Sequence, residues 1–186
     1  MRKKTKNKTL LVIGGLAVGG ILLGLREAVV TIGDASGSDN DENAIRAGLR
    51  DVVNDYGRNY AKQIEQLLRW ESAHFNSEQW RNGNTAGMEA TTDQFPFGWS
   101  SLLEWATVAN IPAREFSTYN MRENRTGIRK TFIRFPNVRD FINFVAWFIQ
   151  TKRGGNVGYW YSLNDAAAAN YTQSIGGVIP RIVNTL

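Results

Sequence analysis

The residues best placed to do chemistry lie on one helical stripe. Ile64, Leu67, Leu68, Glu71 and Phe75 fall at i, i+3, i+4, i+7 and i+11, so Glu71 shares a face with four apolar side chains. Glu65 and Glu78 fall off that stripe. A carboxylate among apolar side chains is costly to keep charged. Burial raises its pKa and favours the protonated form near neutral pH, which is what a general acid requires. The alternative is structural: Glu71 pairs with Arg69 or Arg81, or bonds a buried backbone amide.

Other chemistries are excluded by composition. The chain has one histidine, His74, and no cysteine, so multi-histidine and thiolate metal sites, cysteine nucleophiles and disulfides are ruled out. A serine triad would have to use His74, but no nucleophile-elbow motif is present, nor a P-loop, dinucleotide fingerprint or EF-hand. No cofactor is expected. His74, three residues after Glu71, is read as packing near the helix end. Supporting the acid or lining a cleft is its functional alternative.

These residues need elements to position them. Ile45, Leu49, Val52, Val53 and Tyr56 predict a first helix from about residue 41, broken over 54–57, with the Glu71 helix beginning near Tyr60. Residues 81–98 read as a loop, a natural cleft wall after an acid-bearing helix. Ser101 and Glu104 match a capping box opening a helix to about 109. Residues 118–119 and 130–135 have strand composition, with a turn at 124–127. Asn137, with Asp140 three residues on, caps a helix apolar nearly all round, which predicts the centre of the domain. A last helix over about 165–175 closes at Gly176-Gly177.

The N-terminal end differs in kind. Residues 10–25 form an uncharged run of apolar residues and glycine behind a lysine-rich tail. Sixteen helical residues span about 24 Å, a little short of a ~30 Å hydrocarbon core, and Lys8, Arg26 or Ala28-Val29-Val30 can supply the rest. The reading is an uncleaved signal anchor over 10–30, after a basic inner tail (1–9) and before a linker (31–41) and one domain (42–186). A cleaved secretory signal is the alternative. Either places the domain outside the cytoplasm. The net charge of +5 follows from this segment: residues 1–30 hold six basic residues and one acidic, leaving sixteen of each in the rest. The basic pI is therefore poor support for nucleic-acid binding, and none is expected.

Glu71-Ser72-Ala73-His74-Phe75-x-Ser77, then Asn84-Thr85-Ala86-Gly87-Met88, resembles the Glu-Ser/Thr-x-x-x-x-Ser … Asn-Asn-x-x-Gly-Ile/Met arrangement of flagellar-type β-N-acetylglucosaminidases. These mannosyl-glycoprotein endo-β-N-acetylglucosaminidase-like enzymes belong to the lysozyme-like superfamily and cleave peptidoglycan glycan strands. Phe132-x-x-Phe135-Pro136 and Tyr161-Ser162-x-Asn164-Asp165 with Tyr171 and Ile175 are similar to the family's later segments. The resemblance covers roughly 60–180. Departures are Asn82-Gly83-Asn84-Thr85 in place of adjacent asparagines, Glu89 where a lysine is common, and the aromatic loop Pro96-Phe97-Gly98-Trp99. They bear on sugar preference.

The resemblance implies a lysozyme-like fold; together with the residue patterns above, the expected class is mainly α (α+β lysozyme-like), a helical domain with a small β-hairpin lobe, preceded by one transmembrane helix. It implies Glu71 as the catalytic acid on a β-1,4 linkage and Tyr161 as a residue that stabilises or positions the sugar. Asn84, Gly87, Met88 and Tyr171 come from its motifs as substrate-binding positions. Phe97, Trp99, Tyr159 and Trp160 offer stacking faces, or belong to the core. An inverting hydrolase needs a second carboxylate about 6.5–9.5 Å from the acid. Glu123 is the choice, with Glu115, Glu89 and Asp93 as alternatives. Assistance by the substrate's acetamido group removes the need for one, and assistance by its 6-hydroxyl gives the anhydro product of a lytic transglycosylase. The basic hairpin lobe, with Arg114, Arg122, Arg125, Arg129, Lys130 and Arg134, is a solvated face or a dock for an anionic wall polymer. The expected partners are peptidoglycan strands and a lipid bilayer, in a bacterial envelope or a membrane-containing phage particle. The competing reading is a wall-binding or structural lysozyme-like module without turnover.

Overall fold

The computed structural model describes residues 42–86, 88–90, 99–122 and 127–186. The segments read as tail, anchor and linker lie outside them, as do Gly87, Phe97, Glu123 and the Trp99 side chain. Among the described residues no helix is long and apolar enough to cross a membrane.

The described part is mainly helical, with one small antiparallel sheet. Helices α1 (Glu42–Tyr56) and α2 (Arg58–Glu71) are separated by one residue, Gly57, whose φ of 89° lies where a side chain would be strained. The break is shorter than the 54–57 expected, because Gly57 alone turns the chain. Helix α3 (Glu78–Gly83) occupies the first part of the stretch read as loop. Ser77 caps it by accepting the Trp80 N–H at 3.2 Å, and Asn84 ends it in the left-handed region.

Helix α4 (Trp99–Val108) begins two residues before Ser101, so the serine is inside the first turn and caps nothing. Glu104, read as the acidic half of that box, instead accepts Lys152 Nζ at 2.8 Å. Strands β1 (Ser117–Arg122) and β2 (Arg129–Arg134) pair antiparallel, Ser117 opposite Arg134 and Arg122 opposite Arg129. Residues 88–90 lie along the other edge of β2: Ile133 N–H donates to Met88 O and Ala90 N–H to Thr131 O.

Helix α5 (Val138–Lys152) is the centre, with eight buried residues, and Asn137 caps it by accepting the Asp140 N–H at 2.8 Å. Gly48 brings α1 onto α5; a Cβ there would sit 3.1 Å from the Ile142 side chain. Trp105, Phe116, Phe135, Phe141, Phe144 and Phe148 continue the core as tilted and edge-on rings. A 3-10 turn (Val157–Trp160), helix α6 (Asp165–Gly176) and a final 3-10 turn (Val183–Thr185) complete the chain.

The C-terminal turn corrects the reading of Glu65. Off the apolar stripe, it is nevertheless fully buried. Its carboxylate accepts Arg69 Nε at 2.7 Å and the backbone N–H groups of Ile182 and Val183 at 2.9 and 2.7 Å. It is a buried charge satisfied from three directions, a role that its own helix pattern does not reveal.

Candidate functional site

Glu71 is the last residue of α2, where the apolar stripe reaches the surface, and its side chain is partly buried. Burial raises its pKa, opposed by a hydrogen bond from the Tyr171 hydroxyl on α6 to Glu71 Oε1. No other described carboxylate is a cause of that shift. Arg69 gives its Nε–H to Glu65 and Arg81 bonds the Asn76 carbonyls; neither forms a salt bridge with Glu71. Burial, and then the neighbouring Glu71 charge, raises the Tyr171 pKa, which keeps the phenol protonated and able to donate.

Tyr161 stacks on Tyr171 with ring centroids 5.1 Å apart and planes within 5°. Tyr171 is 8% exposed and Tyr161 63%, so the pair runs from the buried acid to an open aromatic face. The Val157–Trp160 turn sets Tyr161 there: Tyr161 N–H donates to Gly158 O at 3.1 Å. A Cβ on Gly158 would lie 2.3 Å from Ala168 O, so only glycine lets this turn sit against α6.

After Glu71 the chain turns sharply. Ala73, His74 and Phe75 all have positive φ (49°, 60° and 68°), a left-handed run without glycine that costs about 1–2 kcal/mol per residue. Buried Ser72 holds it: its hydroxyl donates to Leu68 O at 2.5 Å and accepts the Phe75 N–H at 2.7 Å. Phe75 packs on Trp80 at 4.8 Å between centroids, with the Arg69 guanidinium 4.7 Å over its ring. Ser72 was missed as a positioning residue; its only sequence signal is a small hydroxyl directly after the acid. His74 is exposed and makes no hydrogen bond to Glu71.

The other predicted site residues are placed differently. Met88 is fully buried along β2, and Trp160 is 6% exposed, edge-on to Phe148 at 6.2 Å. Both are core residues, and neither offers a face to a sugar. Asn84 is buried, its amide donating to Phe135 O at 3.0 Å, a tie between α3 and the strand exit rather than an open subsite. Tyr159 donates to Asp165 Oδ1 at 2.5 Å. Of the alternatives to Glu123, Glu89 pairs with Lys130 at 2.6 Å and Glu115 with Arg114 at 3.8 Å. Asp93 lies outside the described residues.

A cavity of about 610 Å³ between α1, α4 and α5 contains neither Glu71 nor Tyr171. Its polar groups are largely bonded within the fold, Asn137 to Asp140 and Arg139 and Asn143 to Asp51. The chemistry of interest stays with Glu71, Tyr171 and Tyr161. Comparison with protein-family models, curated proteins and solved structures returns no match to this chain.

Replacing Tyr171 by phenylalanine removes the hydrogen bond that lowers the Glu71 pKa and leaves burial unopposed. The Glu71 pKa is expected to rise further, read by carbon-13 NMR titration of its carboxyl carbon. An unchanged or lowered value would contradict the arrangement.

Proposed function

We propose that this chain is a membrane-anchored peptidoglycan glycosidase of the lysozyme-like kind, with Glu71 as its general acid. One observation carries the reading: a partly buried glutamate with a raised pKa, at the surface end of a helix, bonded to a tyrosine that stacks on an exposed second tyrosine. Around it stand the motif resemblance over 60–180 and the apolar segment behind a basic tail. The mainly helical fold with a small hairpin is compatible with it.

In this mechanism protonated Glu71 gives its proton to the glycosidic oxygen as the bond to the anomeric carbon breaks. The leaving sugar departs as an alcohol, and positive charge develops on the remaining ring. The exposed Tyr161 face supports that ring, and Tyr171 holds the carboxyl in place. Water, activated by a base such as Glu123, or the sugar's own 6-hydroxyl then attacks the anomeric carbon and loses a proton.

Incubating the full chain in detergent with purified peptidoglycan and weighing the released muropeptides tests both steps. Release is expected. Reducing ends mean hydrolysis, and products lighter by one water mean intramolecular attack. No release of either kind sinks the reading in favour of a wall-binding module.

A further inference from the structure

A second pocket, of about 430 Å³, opens where α1, the end of α2 and the C-terminal turn meet; Glu42, Arg46, Arg69, His74, Phe75 and Arg181 are among the residues that line it. Three arginines thus face one glutamate. They are not equally occupied. Arg46 is spent on Glu42 at 2.8 Å and Thr185 at 2.9 Å. Arg69 spends only its Nε–H, on Glu65, and its side chain is 12% exposed. Glu65 on one side and the Phe75 ring on another therefore hold its guanidinium fixed. Its terminal N–H groups form no bond among the described residues, and Arg181 has no ion pair there. A guanidinium so fixed, with donors unspent and a second arginine beside it, matches an oxyanion in geometry and charge.

We infer that this pocket binds an oxyanion and, resting on the glycosidase reading above, that the oxyanion is the carboxylate of a peptide stem on the glycan strand. Arg69 and Glu71 are two residues apart on one helix, so they project about 200° from each other. A ligand crossing from one to the other must pass round a helix end roughly 10 Å across. An extended peptide advances about 3.3–3.6 Å per residue, so a stem of three or more residues has that reach. The sugar lies at Tyr161 while the stem turns over the left-handed segment and ends against Arg69 and Arg181. This gives the strained Ala73–Phe75 backbone a use, because it puts His74 and Phe75 on the pocket wall.

His74 is the chain's only histidine, so its imidazole signals report on this pocket alone. The full chain in detergent micelles is titrated with N-acetylmuramyl-L-alanyl-D-isoglutaminyl-L-lysyl-D-alanine, whose four-residue stem ends in its one carboxylate, with the same compound amidated at that carboxylate, and with inorganic phosphate. Saturable movement of the His74 signals by the carboxylate form, weakened about tenfold or more by amidation and by Arg181→Glu, is expected. Arg181 is exposed, and an unchanged circular dichroism spectrum verifies folding of the variant. No saturable binding, or binding indifferent to both changes, overturns the pocket. Binding of phosphate but not of the muramyl compound overturns the stem carboxylate as its source. The two proposals fail separately: muropeptide release without this binding removes the pocket alone, and binding without release removes the glycosidase alone.

Discussion

Glu71→Gln is expected to cut muropeptide release by about 10²–10⁴-fold, the range a positioned general acid supplies, while wall binding is retained. Glutamine keeps the shape and a carbonyl for the Tyr171 hydroxyl, but has no proton to give. The same change is expected to stabilise the protein on the alkaline side. Burial lifts the Glu71 pKa in the folded chain above its unfolded value, so the folded state holds the proton more tightly. The stability this contributes is complete below the unfolded carboxyl pKa and is lost as pH rises through the raised folded value. Glutamine does not ionise and shows no such loss. Thermal melts of the two proteins should therefore separate with rising pH, the variant higher by a few degrees for about each kcal/mol relieved. The wild-type release rate should fall over the same interval, as Glu71 loses the proton it must donate. A variant that releases muropeptides within tenfold of wild type would remove Glu71 from the mechanism. Melts that stay parallel at every pH would show its carboxyl to be solvated.

What could be seen beforehand tracks the range of the interactions. Glu71 is visible because the stripe that carries it is local, one helix read at i, i+3, i+4 and i+7. The Asn137 cap and the core-filling α5 are legible for the same reason, since a cap and its N–H lie three residues apart. Ser101 shows the limit: a correct local signature is overridden when the helix starts at Trp99. Glu65 could not be read, because the amides that satisfy its charge lie 117 and 118 positions away. The left-handed Ala73–Phe75 run gives no warning, having no glycine or asparagine; it is held by Ser72 and by packing on Trp80. Composition marks residues 159–161 as an aromatic cluster. Only the 3-10 turn decides that Trp160 enters the core while Tyr161 faces out onto Tyr171.

Glu65→Ala is expected to have the largest effect on stability, about 3–5 kcal/mol, because it strands what a buried carboxylate satisfied. The Ile182 and Val183 N–H groups would lose their acceptor in a water-poor site, and Arg69 its only ion pair among the described residues. A domain of this size is stable by about 5–15 kcal/mol in total, so the loss is a large share. Glu65→Gln should cost less, about 1.5–3 kcal/mol: its carbonyl keeps one acceptor, but its amide turns donors toward donors. Adding Arg69→Met to Glu65→Ala should return part of the loss, since no charge is then left unpaired, though the two amides remain. Denaturant unfolding reads all three as midpoint shifts at constant slope. A Glu65→Ala protein within about 0.5 kcal/mol of wild type, the range of an ordinary surface substitution, would show that water reaches this carboxylate. The distinction matters for the site, because Glu65 fastens the C-terminal turn to α2 less than two helical turns before Glu71. Release lost in Glu65→Ala should therefore return when the fold is restored by a second-site stabilising change. Loss in Glu71→Gln should not.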